Sequence, residues 1–180
     1  MVVGIGIVVA VSRGRLRDTF IALGVVTALE GVGSLLYHGA EGDPPAFLHD
    51  LALVATVGFI AGWQVGRLTA RPDAGALVGT ACGLSLAAVL TLGPAGTTNL
   101  AAAVAVFATA GAETTARRRG MRAVWTRWLL VLVAIAVLAW LAGRPDGPFC
   151  DDQSWLQPHA LWHVLTALIV AGWAASANKG

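Results

Sequence analysis

The chain of 180 residues is 57% hydrophobic and only 12% charged, with a net charge of +2 and a mean hydropathy of +0.73. A soluble domain carries about 25% charged residues, so the composition excludes an ordinary soluble protein and indicates a polytopic membrane protein with short loops. The positive residues lie between apolar runs, where topology accounts for them, and they give no support to a nucleic-acid partner.

Residues 1–11 are wholly apolar but span only about half of a hydrocarbon core about 30 Å thick. That length suits either a half-inserted segment or, the favoured reading, a first helix whose start is missing, and the lack of a basic leader argues against a cleavable signal. A basic loop follows at 12–18, with Arg13, Arg15 and Arg17. The second apolar run, 19–37, ends at His38-Gly39, and 40–45 reads as a turn containing Glu41, Asp43, Pro44 and Pro45. The third, 47–65, opens with His49-Asp50 and closes at Arg67 and Arg71. The fourth covers 74–92, and Gly93-Pro94-Ala95-Gly96 turns into the fifth, 97–112. A basic block, Arg117-Arg118-Arg119 with Arg122 and Arg127, separates it from the sixth, 124–142. The longest loop, 143–156, is acidic through Asp146, Asp151 and Asp152. Pro158 then suits the first turn of a last helix, 159–177. The expected fold is all-α: one membrane domain over 1–180, a bundle of seven transmembrane helices with the first short or truncated.

Assigned alternately, one side collects Arg13, Arg15, Arg17, Arg67, Arg71, Arg117, Arg118, Arg119, Arg122, Arg127 and Lys179, and the other holds only Arg144. The positive-inside rule puts the first set in the cytoplasm, with the N-terminus outside and the C-terminus inside. Usage of Arg over Lys suggests a bacterial plasma membrane. Cys82 falls within a helix and Cys150 in a loop, so no disulfide is expected between them. Trp63, Trp125, Trp128, Trp155 and Trp173 fall near span ends, where interfacial belts form. Gly58-Gly62-Gly66 and Gly75-Gly79-Gly83 recur every four residues and predict faces of close helix approach.

The topology gathers the four histidines, with Asp50, at the outer end of the membrane layer. His159 and His163 stand four apart, one turn on one helix face, and such a pair can share a metal ion if a third ligand comes from elsewhere. Ser34 and His38 are likewise four apart, with Glu30 one turn deeper on that face. On spacing alone, interfacial histidines and metal ligands both remain open. Axial haem ligands would come from opposite helices, which argues against a cytochrome. Glu30 reads equally as a structural hydrogen-bonding residue or a buried proton carrier. His49 points about 100° away from Asp50 on a helix and is left outside the site.

Ser34-Leu35-Leu36-Tyr37-His38, then Asp50, then His159-Ala160-Leu161-Trp162-His163 resembles the signature of the CREST superfamily of seven-helix membrane hydrolases. That superfamily includes the alkaline ceramidases and the adiponectin/progestin-receptor and hemolysin III proteins. The segment around Leu161-Trp162 looks closest to the ceramidase branch. The resemblance implies Zn²⁺ on His38, His159 and His163, with water in the fourth position. It makes Asp50 the group that takes the water's proton and returns it to the leaving amine, and Ser34 a hydrogen-bond donor to Asp50 or the oxyanion. The implied reaction is hydrolysis of ceramide or another N-acyl membrane lipid to fatty acid and amine. The family's calcium-binding acids precede or lie within its first helix, where this sequence starts too late to show them, so no calcium site is carried over; Cys150 could be half of a family disulfide whose partner is not in this sequence. Two other classes stand beside it. One is a non-enzymatic protein of the hemolysin III or adiponectin-receptor kind with structural zinc, and the other a proton-coupled transporter using Glu30 and Glu113.

Overall fold

A chain this apolar satisfies its backbone most simply as helices, because each helix pairs its own N–H and C=O groups. The computed structural model describes residues 1–40, 43–90, 97–144, 147–149 and 157–179, apart from the side chains of 38–40 and 43–45. Among the described residues there are seven helices and no strand: α1 (Val2–Ser12), α2 (Phe20–Ala40), α3 (Asp43–Arg67), α4 (Pro72–Leu90), α5 (Thr97–Arg118), α6 (Arg127–Gly143) and α7 (Pro158–Ala177). Four segments are long and apolar enough to cross a membrane: Phe20–Tyr37, Ala46–Arg67, Pro72–Leu90 and Pro158–Ala177. α1 and α6 are apolar but shorter, and α5 is long but less apolar.

Three boundaries differ from the sequence reading. Asp43, Pro44 and Pro45 belong to the first turn of α3 rather than to a turn before it, because proline is tolerated where a helical N–H has no partner. α5 continues to Arg118, so Arg117 and Arg118 lie in its last turn, where the helix dipole favours cations. α6 begins at Arg127, leaving 124–126 outside the helix. The proposed turn at 93–96, Glu41, Cys150, Trp155 and the acids Asp146, Asp151 and Asp152 lie outside the described residues.

The chain falls into two compact units, Met1–Ala123 and Val124–Gly180. In the first, α3 is the hub and packs against α2, α4 and α5. The α3–α4 contact is backbone to backbone. A Cβ on Gly62 would collide with the Gly75 carbonyl oxygen, and one on Gly58 would stand 2.5 Å from the Gly79 carbonyl oxygen. This is the small-residue packing that the four-residue glycine spacing predicts. α1 and α2 meet the same way, a Cβ on Gly24 lying 2.9 Å from the Gly4 carbonyl oxygen. Phe20 and Phe59, both fully buried, pack edge to face with centroids 5.7 Å apart.

Along α4 and α5 the buried positions are mostly small and the large apolar side chains face outward. Ala76, Ala87, Ala112 and Ala116 are buried, whereas Val78, Val89, Val104 and Phe107 are exposed. Contiguous apolar exteriors of this kind mark an interaction surface, a bilayer among them.

A buried polar network fastens α3 to α5. Glu113 accepts from Gln64 Nε2 at 3.1 Å, Arg67 NH1 at 3.1 Å and Arg117 Nε at 2.9 Å. Arg67 also donates to the Arg122 carbonyl at 2.6 Å and lies 5.3 Å over the Trp63 ring. A buried carboxylate costs far less when its oxygens are so engaged. Trp63 is therefore a buried partner of Arg67 rather than a belt anchor, and Trp173 is also fully buried.

In the second unit α6 packs on α7. Ala136, Leu165 and Ile169 form its core, with Trp125, Leu132, Val133 and Trp162 against them. A Cβ on Gly143 would collide with the His159 amide nitrogen, so the end of α6 meets the start of α7 at van der Waals distance.

Candidate functional site

The second unit holds the paired histidines. α7 begins with Pro158, and His159 follows in its first turn. The rings of His159 and His163 lie 4.9 Å apart at an interplanar angle of 75°. Trp162 sits beside both, 5.2 Å from the His159 ring and 4.4 Å from that of His163. The four-residue spacing thus does bring the two imidazoles together. Two nitrogens sharing a tetrahedral zinc at about 2.0–2.1 Å stand roughly 3.4 Å from each other, and rings at this separation suit that arrangement. Imidazole nitrogen is a donor of the type zinc prefers.

The first unit holds Ser34, His38 and Asp50. Ser34 is buried on α2, four residues beyond Glu30. His38 lies in the last turns of α2, and its side chain is outside the described residues. Across from them on α3 are His49 and Asp50. His49 Nδ1 and Asp50 Oδ1 are 3.0 Å apart. In the tautomer that carries its proton on Nδ1, the ring donates to the carboxylate oxygen. The other ring nitrogen, Nε2, faces Glu30 Oε1 at 3.8 Å, too long for a hydrogen bond. Tyr37 stacks on the same imidazole at 5.8 Å. His49 and Glu30 are mostly buried, and Asp50 is about a third exposed.

His49 is the residue that helical-wheel reasoning left out. Its ring reaches back to the adjacent carboxylate while its far side meets α2, so the 100° offset of neighbouring positions does not separate them. The signal in the sequence was a second ionisable residue, Glu30, on an otherwise apolar helix. Among the described residues no group of three or more His, Cys, Asp or Glu is close enough to hold a metal ion; the His38 side chain is outside that set. Glu113 is held by two guanidinium groups, those of Arg67 and Arg117. No family model, no curated protein and no solved structure matches this chain.

Proposed function

We propose that the chain is an integral membrane protein of seven transmembrane helices, its C-terminus cytoplasmic and its site near the outer face. In this reading it is a zinc-dependent hydrolase of a lipid amide bond, of the alkaline-ceramidase type, with ceramide or another N-acyl lipid as substrate. The observation that carries the reading is the His159–His163 ring pair at 4.9 Å. It stands with Ser34, His38 and Asp50 in the order that resembles the CREST pattern.

His38, His159 and His163 would hold Zn²⁺, one imidazole from α2 and two from α7. The bound ion would supply Lewis acidity toward the amide carbonyl and acidify a water molecule. The chain's own groups do the rest. Asp50 accepts the proton of the attacking water and delivers it to the leaving nitrogen as the C–N bond breaks. The new C–O bond gives a fatty acid, and the nitrogen leaves as a free amine. Ser34 donates a hydrogen bond to Asp50 or to the developing oxyanion, a role worth about 3 kcal/mol in the transition state. His49 holds the Asp50 carboxylate in place through its Nδ1–H.

The test is fatty-acid release by the purified protein from a panel of N-acyl lipids, with and without a chelator. Release that is lost with chelator and in Asp50→Asn is the expected result. A panel that yields no fatty acid from a zinc-loaded protein would instead favour the structural-zinc, non-enzymatic class.

A further inference from the structure

A cavity of about 530 Å³ runs along α3, α4 and α5, open on one side and lined almost entirely by apolar groups. Ala61, Val78, Leu86 and Val104 form its walls over the α3–α4 glycine seam. On α4 its lining extends from Ala74 to Leu86, about 18 Å of helix. That is close to one leaflet of a hydrocarbon core about 30 Å thick. The volume is within the usual range for a small-ligand site.

One end of the groove is polar. Thr69 and Arg71 line it, in the turn joining α3 to α4, where Ala70 takes the left-handed conformation at φ 56°. Arg71 is exposed, and among the described residues its guanidinium makes no hydrogen bond or ion pair. Arg119 is brought to the same turn by its 3.1 Å hydrogen bond to the Leu68 carbonyl. The nearby acid, Asp73, is offset by Arg17 at 3.4 Å. An apolar slot one leaflet long, ending at an uncommitted guanidinium, matches one kind of molecule. We propose that this groove binds a phospholipid with an anionic headgroup, one acyl chain in the slot and its phosphate on Arg71, with Arg119 contributing. Guanidinium is the side chain best suited to bidentate phosphate binding. A zwitterionic headgroup satisfies the phosphate contact but brings its own cation to the basic turn.

This inference rests on the membrane half of the function proposed above and not on its zinc chemistry. Extraction of the chain from membranes by alkaline carbonate would overturn both; loss of lipid preference with hydrolysis intact would overturn only this one.

Cys82 lines the groove and is exposed, and Cys150 is the other cysteine, so Cys150→Ser leaves Cys82 as a reporter thiol. The experiment follows maleimide alkylation of Cys82 in the full chain, purified in a neutral detergent. Phosphatidylglycerol, phosphatidylcholine of the same chains, and glycerol phosphate are added separately. Phosphatidylglycerol should protect Cys82 at about fivefold lower concentration than phosphatidylcholine, and glycerol phosphate, having no chain, should not protect. Arg71→Gln should make the two lipids equal, and Arg71→Lys should keep most of the preference; with no side-chain partner to lose, both variants keep the fold. Equal protection by the two lipids in the parent protein, or a preference that survives Arg71→Gln, would overturn the proposal. So would lipid-independent protection that rises with protein concentration, which would give the groove to a second copy of the chain.

Discussion

Gly33 of α2 lies directly against the backbone of His49 on α3: a Cβ on Gly33 would stand 2.7 Å from the His49 amide nitrogen. The contact fixes how near Glu30, Ser34 and Tyr37 come to His49 and Asp50. Gly33→Ala should therefore lower stability by about 1–3 kcal/mol, the usual cost of overpacking, measured as thermal unfolding in detergent. It should also reduce turnover. A variant that melts like the parent would show that the two helices can separate at no cost and that the contact does not set the site.

The hydrogen bond from His49 to Asp50 is the next relationship open to test. His49→Ala removes a charge-assisted bond worth about 1.5–3 kcal/mol, and should lower kcat about 10- to 100-fold while leaving KM and zinc content unchanged. His49→Asn, which can still donate, should recover part of the loss. Unchanged kcat in His49→Ala would mean that Asp50 needs no support from its neighbour.

The Glu113 network makes a prediction about folding alone. Glu113→Ala strands Arg67 in a buried place and should destabilise the chain by about 3–5 kcal/mol. The apolar pair Arg67→Met with Glu113→Leu should be less harmful than Glu113→Ala, because neither charge is left unmatched. Additive losses in the double variant would contradict a shared pair.

Gly143 provides a test in the second unit. Gly143→Val must push α6 away from the start of α7 and displace His159. The expected outcome is weaker zinc retention on dialysis with little change in far-ultraviolet circular dichroism. Retention equal to the parent would remove His159 from the ligands or show that the helix end shifts freely.

Much of this was legible in the sequence, for identifiable reasons. The His159–His163 pair and the α3–α4 glycine seam both follow from helical spacing, and a near-continuous apolar pattern gives the helices themselves. The start of α3 was misjudged because Pro44-Pro45 serves a turn and a helix's first turn equally well. The end of α5 was misjudged because Glu113 and Arg117 look like loop charges until their mutual hydrogen bond and Arg67 on α3 are seen. Trp63 near a span end looks like a belt residue, yet Arg67 one turn on draws it inside. The role of His49 depends on a contact between two helices, and no pattern within either helix encodes it.

The central claim is that His38, His159 and His163 hold one zinc ion between them. Elemental analysis of the purified protein tests it most directly, with the parent measured beside His38→Ala and His163→Ala. Equimolar zinc in the parent and its loss from both variants is the predicted result; zinc absent from the parent, or retained undiminished in either variant, would contradict it.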